Sequence, residues 1–197
     1  MDFHAEMAMS LFPMFVKLEG RRVLVVGAGS VGEAKIESLL ATGARVRVVA
    51  PKATPRVREW GREGRIDWVV RQFCAADLMG MFLVIAATAS VPLHQEIYAE
   101  ARSQGVLCNA VDEPERCDFY FPAVVRRGEL QIAISTGGLS PALAQRLRKD
   151  LEQQFGPEWE EWVAQLGRAR EELLSIPMPP EQRKRLLHHY ASLDPKP

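Results

Sequence analysis

The stretch Arg22-Val-Leu-Val-Val-Gly-Ala-Gly-Ser-Val-Gly32 decides the fold of this chain. Its first five residues form a short, β-branched, apolar run, which predicts a strand buried on both faces. The spacing Gly-X-Gly-X-X-Gly follows at once, and residues 33–42 then place Ala34, Leu39, Leu40 and Ala41 among polar residues, which predicts a helix. A strand, a glycine turn and a helix in this order are typical of a dinucleotide-binding Rossmann unit.

Each glycine of this turn has its own expected role. Gly27 permits the tight turn, Gly29 lets the backbone approach a pyrophosphate, and Gly32 allows the helix to pack closely on the strand. The first turn of the helix offers unpaired N–H groups and a partial positive charge to the phosphates. The alternative is a structural turn that binds nothing.

The alternation of strands and helices continues along the chain. Further strands are predicted at residues 45–50, 66–70, 83–87 and 106–109, and further helices at 54–63 and 91–104. This order, with short connections, predicts a parallel sheet covered by helices. Residues 15–18 are expected to pair beside the first strand through a turn at 19–20.

The pattern changes after Asp112. Residues 119–125 and 130–135 predict two strands without a crossover helix, and Ser140-Pro141 has the residues that start a helix. The last third is helical, with a break at Pro177, Pro179 and Pro180. The predicted regions are a Rossmann domain at 1–113, a strand-containing region at 114–150, and a helical part at 151–197.

Composition narrows the choice of partners. Lys and Arg number 25, as do Asp and Glu, so the net charge favours neither nucleic acid nor an anionic membrane. No apolar run approaches the ~20 residues of a membrane span, and residues 1–12 do not have the pattern of a secretory signal. Three cysteines without a metal-binding spacing predict free thiols in the cytoplasm and no bound metal.

Four stretches, taken together and in order, resemble the precorrin-2 dehydrogenase family. This family includes stand-alone enzymes and the N-terminal module of multifunctional sirohaem synthases. The resemblance spans roughly residues 12–155. The stretches are residues 12–15 leading into 18–35, residues 43–51, Cys108-Asn-Ala-Val-Asp112, and residues 121–123 followed by 135–142.

The resemblance implies an activity and an assembly. It implies NAD-dependent oxidation of precorrin-2, a reduced tetrapyrrole with eight carboxylates, to sirohydrochlorin. It also implies that residues 114–150 form a dimerisation and substrate region, in a homodimer whose active sites lie between the cofactor domain and this region. Some members of the family also insert Fe²⁺, so a bifunctional dehydrogenase and ferrochelatase is one alternative. A nucleotide-sensing module without catalysis is another.

The resemblance also assigns residues. It places the essential aspartate at Asp112, and further cofactor contacts at Ser30, Val31, Pro51, Lys52 and Thr88. Expected substrate contacts are Asn109, Thr136, Gly137, Gly138 and Ser140, where the double glycine precedes a second helix N-terminus. His94 is expected on the surface of its helix.

The residues by themselves leave the choice between NAD and NADP open. NAD-binding Rossmann units usually carry Asp or Glu at the end of the second strand, where it binds the ribose. Here that strand ends in Val49-Ala50-Pro51-Lys52, and Arg56 lies close by. The resemblance implies NAD.

Overall fold

The computed structural model describes residues 11–193 and 195, and it begins with a five-stranded parallel sheet. The strands are β1 (Arg22–Ala28), β2 (Arg45–Ala53), β3 (Asp67–Val69), β4 (Leu83–Ala86) and β5 (Leu107–Ala110). Their order across the sheet is β3-β2-β1-β4-β5. The connecting helices are α1 (Ser30–Leu40), α2 (Pro55–Arg62) and α3 (Val91–Ser103). This is the Rossmann-type sheet that the alternation predicts.

The central strand β1 explains why the sheet is covered on both faces. Val23 and Val25 pack in one cluster with Ile36 of α1, whereas Leu24 and Val26 pack in the other with Ile97 of α3. Successive side chains of a strand point to opposite faces, so an uninterrupted apolar run supplies both cores.

Two details of the sheet differ from the prediction. Residues 15–18 form no strand, so the expected pairing beside β1 is wrong. The reason is that β1 already has parallel partners along both edges, β2 and β4. Strand β2 also continues to Ala53, beyond its predicted end at residue 50.

The remainder of the chain forms a hairpin and three helices. Strands β6 (Ala123–Arg127) and β7 (Leu130–Ile134) pair antiparallel, with Val125 opposite Ile132. Helices α4 (Pro141–Gln154), α5 (Glu158–Ser175) and α6 (Pro180–Ala191) follow. Ser140 caps α4 by accepting a hydrogen bond from Leu143 N–H, as its sequence predicts. No helix among the described residues has both the length and the apolar character needed to cross a membrane.

The chain divides into two compact units, one ending at Tyr120 and the other starting at Phe121. This division differs from the predicted boundaries at 113 and 150. The segment after 113 stays with the first unit because the Asp118 carboxylate accepts a hydrogen bond from Cys108 N–H at 2.8 Å. Helix α4 belongs with the hairpin and the later helices, since Arg127 of β6 donates to the carbonyl oxygens of Glu152 and Phe155.

Candidate cofactor site and the turn after β5

The glycine loop between β1 and α1 closes through contacts that a side chain would prevent. Gly27 has a φ of 103°, and a Cβ atom added there would lie 2.2 Å from the carbonyl oxygen of Ala87. A Cβ atom added at Gly32 would lie 2.3 Å from the carbonyl oxygen of Gly27. Both distances are far below van der Waals contact. These glycines therefore serve the two structural roles expected of them.

Gly29 differs because its surroundings are open. It has an ordinary φ of −76°, and a Cβ atom added there would have no neighbour within 4 Å. Helix α1 starts at the next residue, and no side chain caps its N-terminus. The first N–H groups of a helix have no partner within the helix, and its dipole attracts negative charge. The loop therefore has the space and the donors that a dinucleotide pyrophosphate needs.

Strand β2 brings a second predicted segment to this edge of the sheet. Ala53 pairs with Ala28 after an irregularity in the register, and Thr54 N–H donates to the carbonyl oxygen of Ala28 at 3.0 Å. Pro51 and Lys52, which precede this pairing, are exposed. They lie within the strand rather than after it.

Thr88, beyond the end of β4, is half-buried at the same edge. Its hydroxyl oxygen accepts a hydrogen bond from Ser90 N–H at 3.0 Å, and Ser90 in turn caps α3. The hydroxyl group of Thr88 thus orders the loop that leads into α3.

Asp112 lies in the turn after β5, which is parallel to β1 and ends at the same edge. Its side chain is exposed, and its φ is 63°; no other non-glycine residue among those described has a positive φ. Asp is one of the few residues that tolerate this left-handed conformation. Burial lowers the pKa of Lys35, on α1, and the Asp112 carboxylate acts in the opposite direction by attracting the ammonium charge. Helix α1, which follows the glycine loop, therefore contributes the positive charge of Lys35, and this charge interacts with the Asp112 carboxylate.

A buried cluster stabilises this turn, and it corrects one prediction. His94 is 4% exposed, so its expected position on the helix surface is wrong. Its Nδ1–H donates to the Glu113 carboxylate at 2.9 Å, and Arg116 pairs with the same carboxylate. These hydrogen bonds, from His94 first, lower the pKa of Glu113. Among the described residues, none forms a hydrogen bond with Nε2 of His94.

Asn109, an expected substrate contact, has a structural role here. Its side-chain amide donates to the carbonyl oxygen of Phe119 at 2.8 Å and contacts Cys117 Sγ at 3.3 Å. Cys117 Sγ lies 3.2 Å from the carbonyl oxygen of Ala110 and 3.3 Å from that of Glu113. These contacts link the end of β5 to the segment that follows it. They join residues 4 to 10 positions apart, and no spacing rule in the sequence predicts them.

The predicted cofactor contacts Ser30 and Val31 are the first two residues of α1, whereas the remaining predicted substrate contacts lie in the second unit, in the turn between β7 and α4. The Thr136 hydroxyl accepts a hydrogen bond from Ser140 N–H at 3.1 Å. Gly137 and Gly138 have φ values of 62° and 84°, and Cβ atoms added to them would meet nothing within 4 Å. Leu139 is 91% exposed. This turn presents open backbone beside a helix N-terminus, as the double glycine predicts.

Comparison with known proteins places the chain in a family. The family model described as "Putative NAD(P)-binding" matches residues 14–123, more than half of the chain. The model described as "Sirohaem biosynthesis protein central" matches residues 127–154. The chain belongs to the family of putative NAD(P)-binding proteins that the first model describes. Together the two matches confirm the predicted resemblance and the nicotinamide dinucleotide cofactor.

Relatives in this family are longer proteins. Siroheme synthase 1 of Serratia proteamaculans is 42% identical over 144 residues, which cover 73% of this chain and 30% of that protein. Siroheme synthase of Actinobacillus pleuropneumoniae is 42% identical over 149 residues, which cover 76% of this chain and 31% of the relative. The chain thus spans less than a third of the length of these two relatives.

A solved structure named "SirC, precorrin-2 dehydrogenase" is similar over both units. It superimposes with a TM-score of 0.78 at 27% sequence identity, and the match covers 91% of this chain and 88% of the other. The predicted fold class is thereby confirmed: a Rossmann-type sheet, a small strand-containing region and C-terminal helices.

Proposed function

We propose that this chain catalyses the NAD-dependent oxidation of precorrin-2 to sirohydrochlorin. One observation carries the proposal: an exposed carboxylate, Asp112, is held in a left-handed turn at the same sheet edge as the open glycine loop. Ligands of open parallel sheets bind at this edge. The name of the similar solved structure supports the choice of substrate.

The reaction removes two electrons and two hydrogen atoms from the tetrapyrrole. Bound NAD supplies an acceptor for the hydride. The second hydrogen leaves as a proton, and Asp112 is positioned to accept it as a general base. The ammonium group of Lys35 attracts the Asp112 carboxylate, since their charges are opposite.

We propose that the turn at residues 136–140 binds a carboxylate of the substrate. Its support is the open backbone at Gly137 and Gly138, followed by the N-terminus of α4. Helix N-termini favour anions, and this substrate carries eight carboxylates. Thr136 and Ser140 order the turn through their hydrogen bonds, so they act by positioning the backbone.

The test is a spectrophotometric assay of the purified chain with precorrin-2 and NAD. We expect formation of sirohydrochlorin and NADH. Asp112→Asn should bind NAD with unchanged affinity, because the substitution is nearly isosteric and lies outside the loop, but it should lose turnover by about 10²-fold or more. Asp150→Asn removes an exposed aspartate on α4 and serves as the matched control.

Three results would count against the proposal. Near-normal turnover by Asp112→Asn would remove Asp112 from its role. Binding of NAD without any oxidation by the parent chain would favour a nucleotide sensor instead. Faster turnover with NADP than with NAD would overturn the assignment of the cofactor.

We also propose a homodimer, formed through the region after residue 113, and a cytoplasmic location. The hairpin β6–β7 is a two-stranded sheet, so it has two outer edges to which a strand of another chain can add, and Phe121 before it is 40% exposed. All three cysteines are free, as expected in a reducing compartment. Size-exclusion chromatography with light scattering should give twice the chain mass of 22.1 kDa. A monomer at micromolar concentration would contradict the dimer.

A further inference from the structure

The amino edge of the five-stranded sheet contains a cleft that the proposed function does not use. Its volume is about 350 Å³. Parallel strands begin at the same edge, so the first residues of β1, β2 and β3 meet there. Four of the lining residues are arginines and one is an aspartate: Arg22, Arg45, Arg47, Arg65 and Asp67.

The charges in this cleft are not balanced. Arg22 and Arg45 are register partners on adjacent strands, and Arg47 is two residues further along β2. Asp67 pairs with Arg47, with 2.6 Å between Nε and Oδ2. Within residues 11–193, neither Arg22 nor Arg45 forms an ion pair with a carboxylate.

This arrangement has an energetic consequence for the sheet. Like charges repel one another, and an arginine at the start of each of two adjacent strands brings two positive charges to the same edge of the sheet. Arg22 and Arg45 lie at the start of β1 and β2, the pair of strands that carries the glycine loop at its other end. The guanidinium group of Arg22 extends toward Gly80, where an added Cβ atom would lie 3.2 Å from Nη1. An anion that neutralises both guanidinium groups would remove the repulsion and stabilise this edge.

We propose that the cleft is a binding site for a compact polyanion that carries two or more phosphate or carboxylate groups. Guanidinium groups bind both kinds of anion through paired, charge-assisted hydrogen bonds. The volume falls within the range of about 300–1,000 Å³ that small-molecule sites occupy. Strand β1, with its seven residues, separates the cleft from the glycine loop by roughly 20 Å, so the ligand is distinct from the pyrophosphate of the cofactor.

The first test is thermal unfolding of the full chain in saturating NAD, which keeps the glycine loop occupied. Inorganic pyrophosphate at about 10 mM should raise the Tm, because a ligand of the folded state stabilises it. Sodium chloride at matched ionic strength is the control for screening. Citrate is the polycarboxylate probe, and its effect relative to pyrophosphate identifies which kind of anion the cleft prefers.

Variants show whether the anion binds in the cleft. The double variant Arg22→Gln/Arg45→Gln should bind pyrophosphate at least about tenfold more weakly in calorimetric titration. Without added anion it should melt at a higher temperature than the parent, because two like charges are removed from the same edge of the sheet. Arg62→Gln/Arg170→Gln removes two exposed arginines outside the cleft and should leave the affinity unchanged.

Two results would overturn the proposal. One is the absence of any Tm increase with pyrophosphate or citrate beyond the chloride control. The other is an equal affinity for pyrophosphate in the parent and in Arg22→Gln/Arg45→Gln. The affinity for NAD, measured in the same samples, should be the same in all variants, which keeps this test separate from the proposed function.

Discussion

The glycine loop and the turn after β5 lie at the same edge of one sheet, but different forces build them. The loop is built by missing side chains, since Gly27 and Gly32 allow backbone contacts that a Cβ atom would block. The turn is built by side chains that are present, above all His94 and Glu113, which are 19 residues apart in the chain. The spacing of glycines in a short sequence therefore predicts the glycine loop. The turn after β5 depends on residues far apart in the chain, so a short sequence does not predict it.

The largest expected effect separates two glycines of the same loop. Gly27→Ala would place a Cβ atom against the Ala87 carbonyl oxygen at a φ of 103°, and Ala87 is held by its own hydrogen bond to Val26. Steric conflict with backbone cannot relax cheaply, so we expect a loss of about 3 kcal/mol or more in the free energy of unfolding. Denaturant titration measures it.

Gly29→Ala is the matched control, because its Cβ atom meets nothing and its φ is ordinary. Its free energy of unfolding should stay within about 0.5 kcal/mol of the parent, as for most exposed sites. Its affinity for NAD should fall, since the methyl group occupies the space proposed for the pyrophosphate. Unchanged NAD binding by a folded Gly29→Ala chain, or normal stability of Gly27→Ala, would break the distinction between the two glycines.

An effect of intermediate size on stability is expected at the turn after β5. Glu113→Gln removes the charge that His94 and Arg116 share. The folded pKa of Glu113 is lowered, so its contribution to stability is present above the unfolded pKa of about 4.3 and is lost as the pH falls through the lowered folded value. The variant should therefore melt below the parent at pH 7, and the two should converge in acid.

The control for this experiment is Glu115→Gln, which changes an exposed neighbouring carboxylate. Melting curves of all three proteins between pH 2 and pH 7 show whether the charge of Glu113 stabilises the turn. A gap between parent and Glu113→Gln that persists in acid would mean that the carboxylate charge does not stabilise the turn.

The smallest effect concerns the strain at Asp112. Its φ of 63° suits glycine better than any residue with a Cβ atom, so Asp112→Gly should raise the free energy of unfolding by about 0.5–1 kcal/mol. The same change removes the proposed base and should abolish oxidation. Asp112→Asn keeps a side chain that tolerates this conformation and should leave stability nearly unchanged. A destabilised Asp112→Gly chain would show that side-chain contacts outweigh backbone strain in this turn.

Prediction from the sequence succeeded where the deciding contacts are local. The run 22–26, the glycine spacing after it and the strand-helix alternation predicted the sheet and the helix after the glycine turn, although α1 begins at Ser30, three residues before its predicted start. The predicted pairing of residues 15–18 failed because the propensity of a segment does not indicate whether an edge of the neighbouring strand is free. Likewise, nothing in the residues near His94 indicates that a carboxylate from after β5 will reach it.

The sequence by itself determined the Rossmann unit, the open position at Gly29 and the placement of Asp112 after the last parallel strand. These follow from periodicity, from the absence of side chains and from chain order, all of which are local properties. The tertiary structure decided which residues hold Asp112 in place and which arginines share a cleft. Both depend on strand order and register, because β5 must lie beside β4, and β1 beside β2, before those side chains can meet.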